Sequence, residues 1–201
     1  MKKIFLTLSS ILLLNIFVHA QTLEDAFSKS YAYETATNYT EAISVLKTVY
    51  NAKSYELNLR LGYLNYLAKK YNESTDYYNK AIELMPFSVE AKLGLALPLS
   101  MTNNWKKITE LYTDILKIDP QNSTILYRMG LISFTNKDYN AAYKYYEKLV
   151  NMYPFSYDGL LMYAWTNYQL GKYADAKTLF NKVLLLSPGD KSAKEGLGLI
   201  K

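Results

Sequence analysis

YELNLRLGYLNYLAKKYNESTDYYNKAIELMPFS, residues Tyr55 to Ser88, sets a pattern that returns three more times along the chain. The clearest marker is a proline every 34 residues, at Pro86, Pro120, Pro154 and Pro188. An aromatic opens the second half of each unit at Tyr71, Trp105, Tyr139 and Tyr173, and another follows seven residues later at Tyr78, Tyr112, Tyr146 and Phe180. Within Tyr55–Ser88 the apolar residues Leu57, Leu61, Leu64 and Ala68 are spaced for one helix. Tyr78, Ile82 and Met85 are spaced for a second, after the polar break Lys69 to Glu73. Two helices joined by a short turn make a helical hairpin, and the proline ends the second because its ring cannot continue the hydrogen-bonded ladder. A fixed period of this length means stacked hairpins, each burying its apolar face on the next.

Working outward, the units fall at about 55–88, 89–122, 123–156 and 157–190. An earlier unit is expected over 21–54, where Asn38-Tyr39-Thr40-Glu41-Ala42-Ile43 reads as the start of its second helix, with no closing proline. Lys191 to Lys201 begins a further first helix, expected to cap the apolar edge of the last full unit.

The repeats resemble the tetratricopeptide repeat family. Its signature is a Leu-Gly pair in the first helix, an aromatic opening the second, an alanine three residues on, then an aromatic, an alanine and a closing proline. Leu61-Gly62, Tyr71, Tyr78, Ala81 and Pro86 match it, with Ser74 at the first alanine. Met129-Gly130, Tyr139, Ala142, Tyr146 and Pro154 match it with Leu149 at the second alanine, and Tyr163-Ala164, Tyr173, Ala176, Phe180 and Pro188 match with substitutions. The unit around Leu95-Ala96 and Trp105 departs most, with Ile108 and Ile115 where alanines belong. The resemblance implies an all-α, right-handed superhelical solenoid of about five hairpins plus a C-terminal capping helix, covering residues 21–201.

Residues 1–20 read as a signal peptide. Lys2 and Lys3 precede the apolar stretch Ile4 to Val18, and Val18-His19-Ala20 ends it with small residues at the cleavage positions. At about fifteen residues the stretch is short of the roughly twenty a membrane span requires, and no later run is long enough. No cysteine follows it, so no lipid anchor is expected there. The remaining chain would carry 21 basic and 18 acidic residues, a net charge of +3 with the signs interspersed. That is not the dense basic stripe of a nucleic-acid binder. The chain has no cysteine and its one histidine, His19, lies in the leader. The usual zinc ligands, general bases and thiol nucleophiles are therefore missing beyond it. No catalytic residue, metal site or cofactor is expected, and the protein reads as exported to the periplasm or beyond the cell, in the manner of a bacterial envelope protein.

The tyrosines that open and fill the second helices are expected in the core. In the resembled family the first helices line the concave groove, which here would be lined by Leu59, Tyr63 and Tyr66, by Leu93, Leu97 and Met101, by Tyr127, Leu131 and Phe134, and by Leu161, Trp165 and Tyr168. Spacings of three and four place each set on one side of its helix. Packing against the adjacent first helix would hide them; exposed together they would form an apolar patch suited to a partner helix or extended peptide. Arg60 and Arg128 flank the face, able to hold an acidic side chain or to pair with surface carboxylates such as Glu56. The lysines and asparagines with which some family members grip a terminal carboxylate are missing. Pro98, inside a first helix, should bend it, either widening the groove or merely marking the least regular unit. The expected function is a protein-interaction scaffold of the cell envelope. The alternative is a glycan- or peptidoglycan-binding module using the same rings, with Asn65, Asn167 and Gln169 as nearby polar groups. A homo-oligomer formed through the solenoid's ends stays open.

Overall fold

The computed structural model describes residues 22–200; the expected leader, residues 1–20, lies outside them. Among the described residues there are eleven α-helices and no strand, and they form two units divided after Tyr50.

The first unit is one hairpin, α1 (Leu23–Thr35) and α2 (Tyr39–Lys47). Thr22 caps α1 by accepting the Asp25 N–H at 3.1 Å, and Ala26, Ala42, Ile43 and Leu46 are buried. The second unit holds four hairpins: α3 (Tyr55–Leu67) with α4 (Tyr71–Leu84), α5 (Val89–Met101) with α6 (Trp105–Ile118), α7 (Ser123–Thr135) with α8 (Tyr139–Met152), and α9 (Tyr157–Gln169) with α10 (Tyr173–Leu186). The helix α11 (Lys191–Leu199) then packs on α10 and α9.

Local chemistry sets these boundaries. Two residues after each proline stands a capping residue, Ser88, Asn122, Ser156 or Asp190, whose side chain accepts the N–H three residues on at 3.0, 3.1, 3.3 and 2.7 Å. Each satisfies a donor that the first turn would otherwise leave bare. Within the hairpins the turn also repeats. Lys69, Asn103, Lys137 and Gly171 take positive φ of 60°, 56°, 62° and 73°. Beside each, paired backbone bonds such as Lys69 N–H to Tyr66 O at 2.9 Å and Lys70 N–H to Asn65 O at 2.8 Å close the first helix in a Schellman motif. Asn65 and Asn167 are buried and donate to carbonyls of their own helices, those of Leu61 and Tyr163.

The core runs through the second-helix aromatics. Tyr78, Tyr112, Tyr146 and Phe180 are buried, and glycines let helices close on them. A Cβ at Gly62 would come within 2.9 Å of the Tyr78 ring, and one at Gly130 within 2.6 Å of Tyr146. The tyrosines were expected in the core at both second-helix positions, but the openers are not: Tyr71 and Tyr139 are half-buried, and Trp105 and Tyr173 are about half exposed. They sit at the hairpin turn, as the first residues of the second helices.

Tightness varies along this unit. At the small-residue position of α4, Ser74 donates to the Gly62 carbonyl at 2.7 Å; the same position in α6 is the bulky Ile108, facing Ala96 rather than a glycine. The α5–α6 hairpin and the α6–α7 junction accordingly pack less closely than their counterparts. At the α6–α7 junction Tyr112 and Ile115 share one core cluster with Ile125 and Met129. α5 runs unbroken through the buried Pro98.

Candidate functional site

Each expected groove residue has a definite place on the first helices. Tyr63, Met101 and Leu131 are exposed on α3, α5 and α7. Leu97 is half-buried on α5. Tyr66, Phe134 and Tyr168 lean across the hairpin turn onto the opening aromatic of the next helix, with centroids 6.2 Å from Tyr71, 5.3 Å from Tyr139 and 5.5 Å from Tyr173. Trp165 turns into the end of the unit: its ring meets Phe180 edge-on at 5.1 Å and its indole N–H donates to Ser192 Oγ of α11 at 2.8 Å. Trp165 and Tyr168 therefore serve packing as much as surface.

Tyr127 and Arg128 are brought together in one open cleft of about 680 Å³. Its walls are the start of α7 (Ser123, Thr124, Tyr127, Arg128), the end of α8 with its turn (Tyr153, Pro154, Phe155) and Asp158 at the start of α9. The cleft has a reason in the sequence. In α3 the matching first residue is Tyr55, whose hydroxyl shares a 2.7 Å hydrogen bond with Ser88 and covers the next cap. In α7 that residue is Ser123, too short to cover Ser156, and the space stays open.

The chemistry of the cleft is apolar and aromatic with one charge of each sign. Phe155 is 61% and Tyr153 50% exposed, so two rings stand in water at its edge. Tyr127 packs edge-on against Tyr146 at 6.0 Å. Burial, with a further push from the Asp158 carboxylate, holds the Tyr127 hydroxyl above its ordinary value, so it stays a neutral donor. Arg128 is exposed, and its guanidinium donates to the Tyr112 hydroxyl at 2.9 Å while lying over that ring at 5.8 Å. Its partner is thus a phenol rather than the carboxylate that sequence suggested. Arg60, expected beside it on the exposed flank, is instead buried on α3.

Phe155 and Tyr153 were not foreseen as site residues. They follow α8 in the proline-bearing turn, where Phe155 corresponds to Phe87, Gln121 and Gly189 and Tyr153 to Met85, Asp119 and Ser187, so only the exposed ring itself could have marked them. Among the described residues no cluster of His, Cys, Asp or Glu could hold a metal ion, and no helix is long and apolar enough to cross a membrane.

Tetratricopeptide-repeat sequence profiles match residues 55–87 and 133–199. The stretch between them holds the irregular α5–α6 hairpin. No functionally curated protein matches the chain in sequence. Among solved structures, a tetratricopeptide repeat protein from Parabacteroides merdae ATCC 43184 superposes with a TM-score of 0.74 at 22% identity, over 87% of this chain and 70% of that one. MamA superposes at 0.71 and 20% identity, over 90% of this chain and 99% of its own. YrrB, described as a TPR protein with an unusual peptide-binding site, superposes at 0.71 and 11% identity, over 90% of this chain and 94% of its own. At these identities the superpositions speak to fold.

Proposed function

Given that the chain belongs to the tetratricopeptide repeat family, whose fold is a scaffold for protein–protein interaction, we propose that this protein is a non-catalytic adaptor of the bacterial cell envelope. It holds an extended segment of a partner protein in the α7–α9 cleft. The observation that carries this reading is the pair of water-exposed rings, Tyr153 and Phe155, standing over the cleft floored by Tyr127. Exposed aromatics beside a concavity are the usual anchors of a binding hot spot. Arg128 and Asp158 both line the cleft and offer a bound segment one charge of each sign. The leader-like pattern of residues 1–20 supports export, and the absence of His and Cys after His19 supports a binding rather than a catalytic role.

The test is crosslinked capture from the native envelope with the wild-type chain and a Tyr153→Ala/Phe155→Ala variant, whose fold is checked by circular dichroism. Both side chains are half or more exposed, so the helices should survive. Selective loss of one protein from the variant is the expected result. An unchanged set of captured proteins rejects the cleft, and retention of muropeptides in place of protein selects the glycan reading.

A further inference from the structure

The residue that opens each first helix of the second unit has a recurring role at the cap of the next first helix. Tyr55 of α3 shares its hydroxyl with Ser88 Oγ at 2.7 Å and donates to the Glu90 carboxylate at 3.2 Å. Tyr157 of α9 donates to the carboxylate of Asp190, the cap of α11. Val89 of α5 has no hydroxyl to offer. It packs on the core, and the next cap, Asn122, donates instead to Asp119 Oδ2 at 3.0 Å.

The helix α7 departs from all three. Its opening residue is Ser123, and Tyr153 stands at the repeat position of Asp119. Ser156 and Asp158 stand at the positions of Ser88 and Glu90. Ser123, Ser156 and Asp158 all line the α7–α9 cleft. The open space is therefore bounded by the same three positions that the Tyr55 phenol joins between α3 and α5.

The polar atoms there match that phenol. Ser156 Oγ accepts the Gly159 N–H at 3.3 Å and keeps its own hydrogen to donate. Among the described residues the Asp158 carboxylate accepts no hydrogen bond and forms no ion pair. A carboxylate accepts only, so the group that completes the site is a donor carried on a ring. The rest of the lining suits a ring as well, with Tyr127, Leu149 and Met152 beside the exposed Tyr153 and Phe155. A cleft of about 680 Å³ has room for one such side chain and the chain on either side of it.

We propose that the α7–α9 cleft takes a tyrosine side chain of the partner segment, which supplies from outside the phenol that Ser123 omits. The inference rests on the adaptor reading above and names the side chain that its cleft recognises. The phenol donates to Asp158 and accepts from the Ser156 hydroxyl, as the Tyr55 phenol pairs with Glu90 and Ser88. A phenylalanine would fill the same space and leave both groups without that partner, so the site prefers tyrosine.

The experiment follows the Gly159 amide signal, bonded to Ser156 Oγ, by NMR of the full chain during titration with acetyl-Gly-Ser-Tyr-Ser-Gly-amide. The controls carry Phe or Ala in place of Tyr. The Tyr peptide should move the signal saturably and bind about tenfold more tightly than the Phe peptide, as one hydrogen bond to a charged acceptor allows. The Ala peptide should leave it in place. Asp158→Asn, at an exposed side chain, should reduce the preference for Tyr over Phe to about threefold. Ser123→Tyr returns the ring to the chain itself and should weaken binding of the Tyr peptide about tenfold. Equal affinity of the Tyr and Phe peptides, no response of Gly159 to the Tyr peptide at millimolar concentration, or undiminished binding by Ser123→Tyr overturns the proposal. The peptide comparison uses the wild-type chain and stands even if a variant folds poorly. If Tyr153→Ala/Phe155→Ala loses its captured protein while the Tyr peptide binds no better than the Phe peptide, the adaptor reading holds and the tyrosine falls. If capture is unchanged while the Tyr peptide is preferred, the phenol site holds and the adaptor reading falls.

Discussion

The junction between α4 and α5 and the junction between α6 and α7 are built at the same repeat positions and come out differently. In the first, Gly94 lets the Tyr78 ring come so near that a Cβ would stand 2.2 Å from it. Tyr55 then ties α3 to the start of α5 through Ser88. In the second, Arg128 stands where Gly94 does and Val89 where Tyr55 does. Tyr112 cannot close on a guanidinium as Tyr78 closes on a glycine, so it accepts a hydrogen bond from Arg128 instead. The difference teaches that the apolar period maintains the hairpins, while at these two junctions the residue facing the core tyrosine, glycine in one and arginine in the other, decides how closely that ring is approached. The cleft adjoins α7, the helix that begins with Ser123 and carries Arg128.

The largest expected effect tests that asymmetry directly. Tyr78 touches Gly62 of its own hairpin and Gly94 of the next. Tyr78→Ala should therefore cost about 3–5 kcal/mol, the range for emptying a buried aromatic site. Tyr112→Ala should cost less, about 2–3 kcal/mol, because its pocket is already partly open. Urea unfolding followed by helical circular dichroism measures both. Equal losses would mean that the two junctions are energetically alike and that the looser packing at Arg128 has no consequence for stability.

A second contrast is smaller and opposite in sign. Tyr146 is fully buried and its hydroxyl has no hydrogen-bond partner in the structure. Phe180 already stands at the same place in the last hairpin. Tyr146→Phe should stabilise by about 1 kcal/mol, relieving a buried polar group of its desolvation cost. Tyr112→Phe removes the acceptor of Arg128 and should destabilise by about 0.5–1.5 kcal/mol, since that guanidinium keeps water as an alternative. Thermal unfolding of the two variants side by side is the measurement. Loss of stability in Tyr146→Phe would show that its hydroxyl has a partner in solution.

Much of this was legible beforehand. The prolines, the helical spacings and the opening aromatics placed the hairpins, and α2 begins at the Tyr39 that sequence marked. The site was legible only in part. Tyr127, Arg128 and Leu131 line pockets, but the ring pairs across three of the turns escaped notice because they join two helices at a spacing that belongs to neither period. Trp165 gave no sign that Ser192 and Phe180 would claim it, since that depends on where α11 folds back. Arg60 and Arg128, alike in sequence position, part company because burial is set by neighbours that spacing does not name. Aligning the units column by column would have exposed Ser100 among Tyr66, Phe134 and Tyr168, and a column that varies from Arg60 through Gly94, Arg128 and Met162 to Gly196.

The smallest effect asks where the looseness of the α5–α6 hairpin originates. Its turn residue Asn103 and the turn residue Lys69 of α3–α4 both hold left-handed backbone, with φ of 56° and 60°. A lysine there carries a Cβ clash that glycine lacks, so Lys69→Gly should stabilise by about 0.5–1 kcal/mol after the greater freedom of the unfolded glycine is deducted. Asparagine tolerates this region, so Asn103→Gly should gain only about 0.2 kcal/mol, within the few tenths separating good cap residues. If Ile108 and Arg128 cause the loose packing, relaxing the turn leaves it unchanged, and amide exchange in α6 stays as in wild type. A gain from Asn103→Gly as large as that from Lys69→Gly, with slower exchange along α6, would place the strain in the turn and shift the cause from side-chain bulk to backbone.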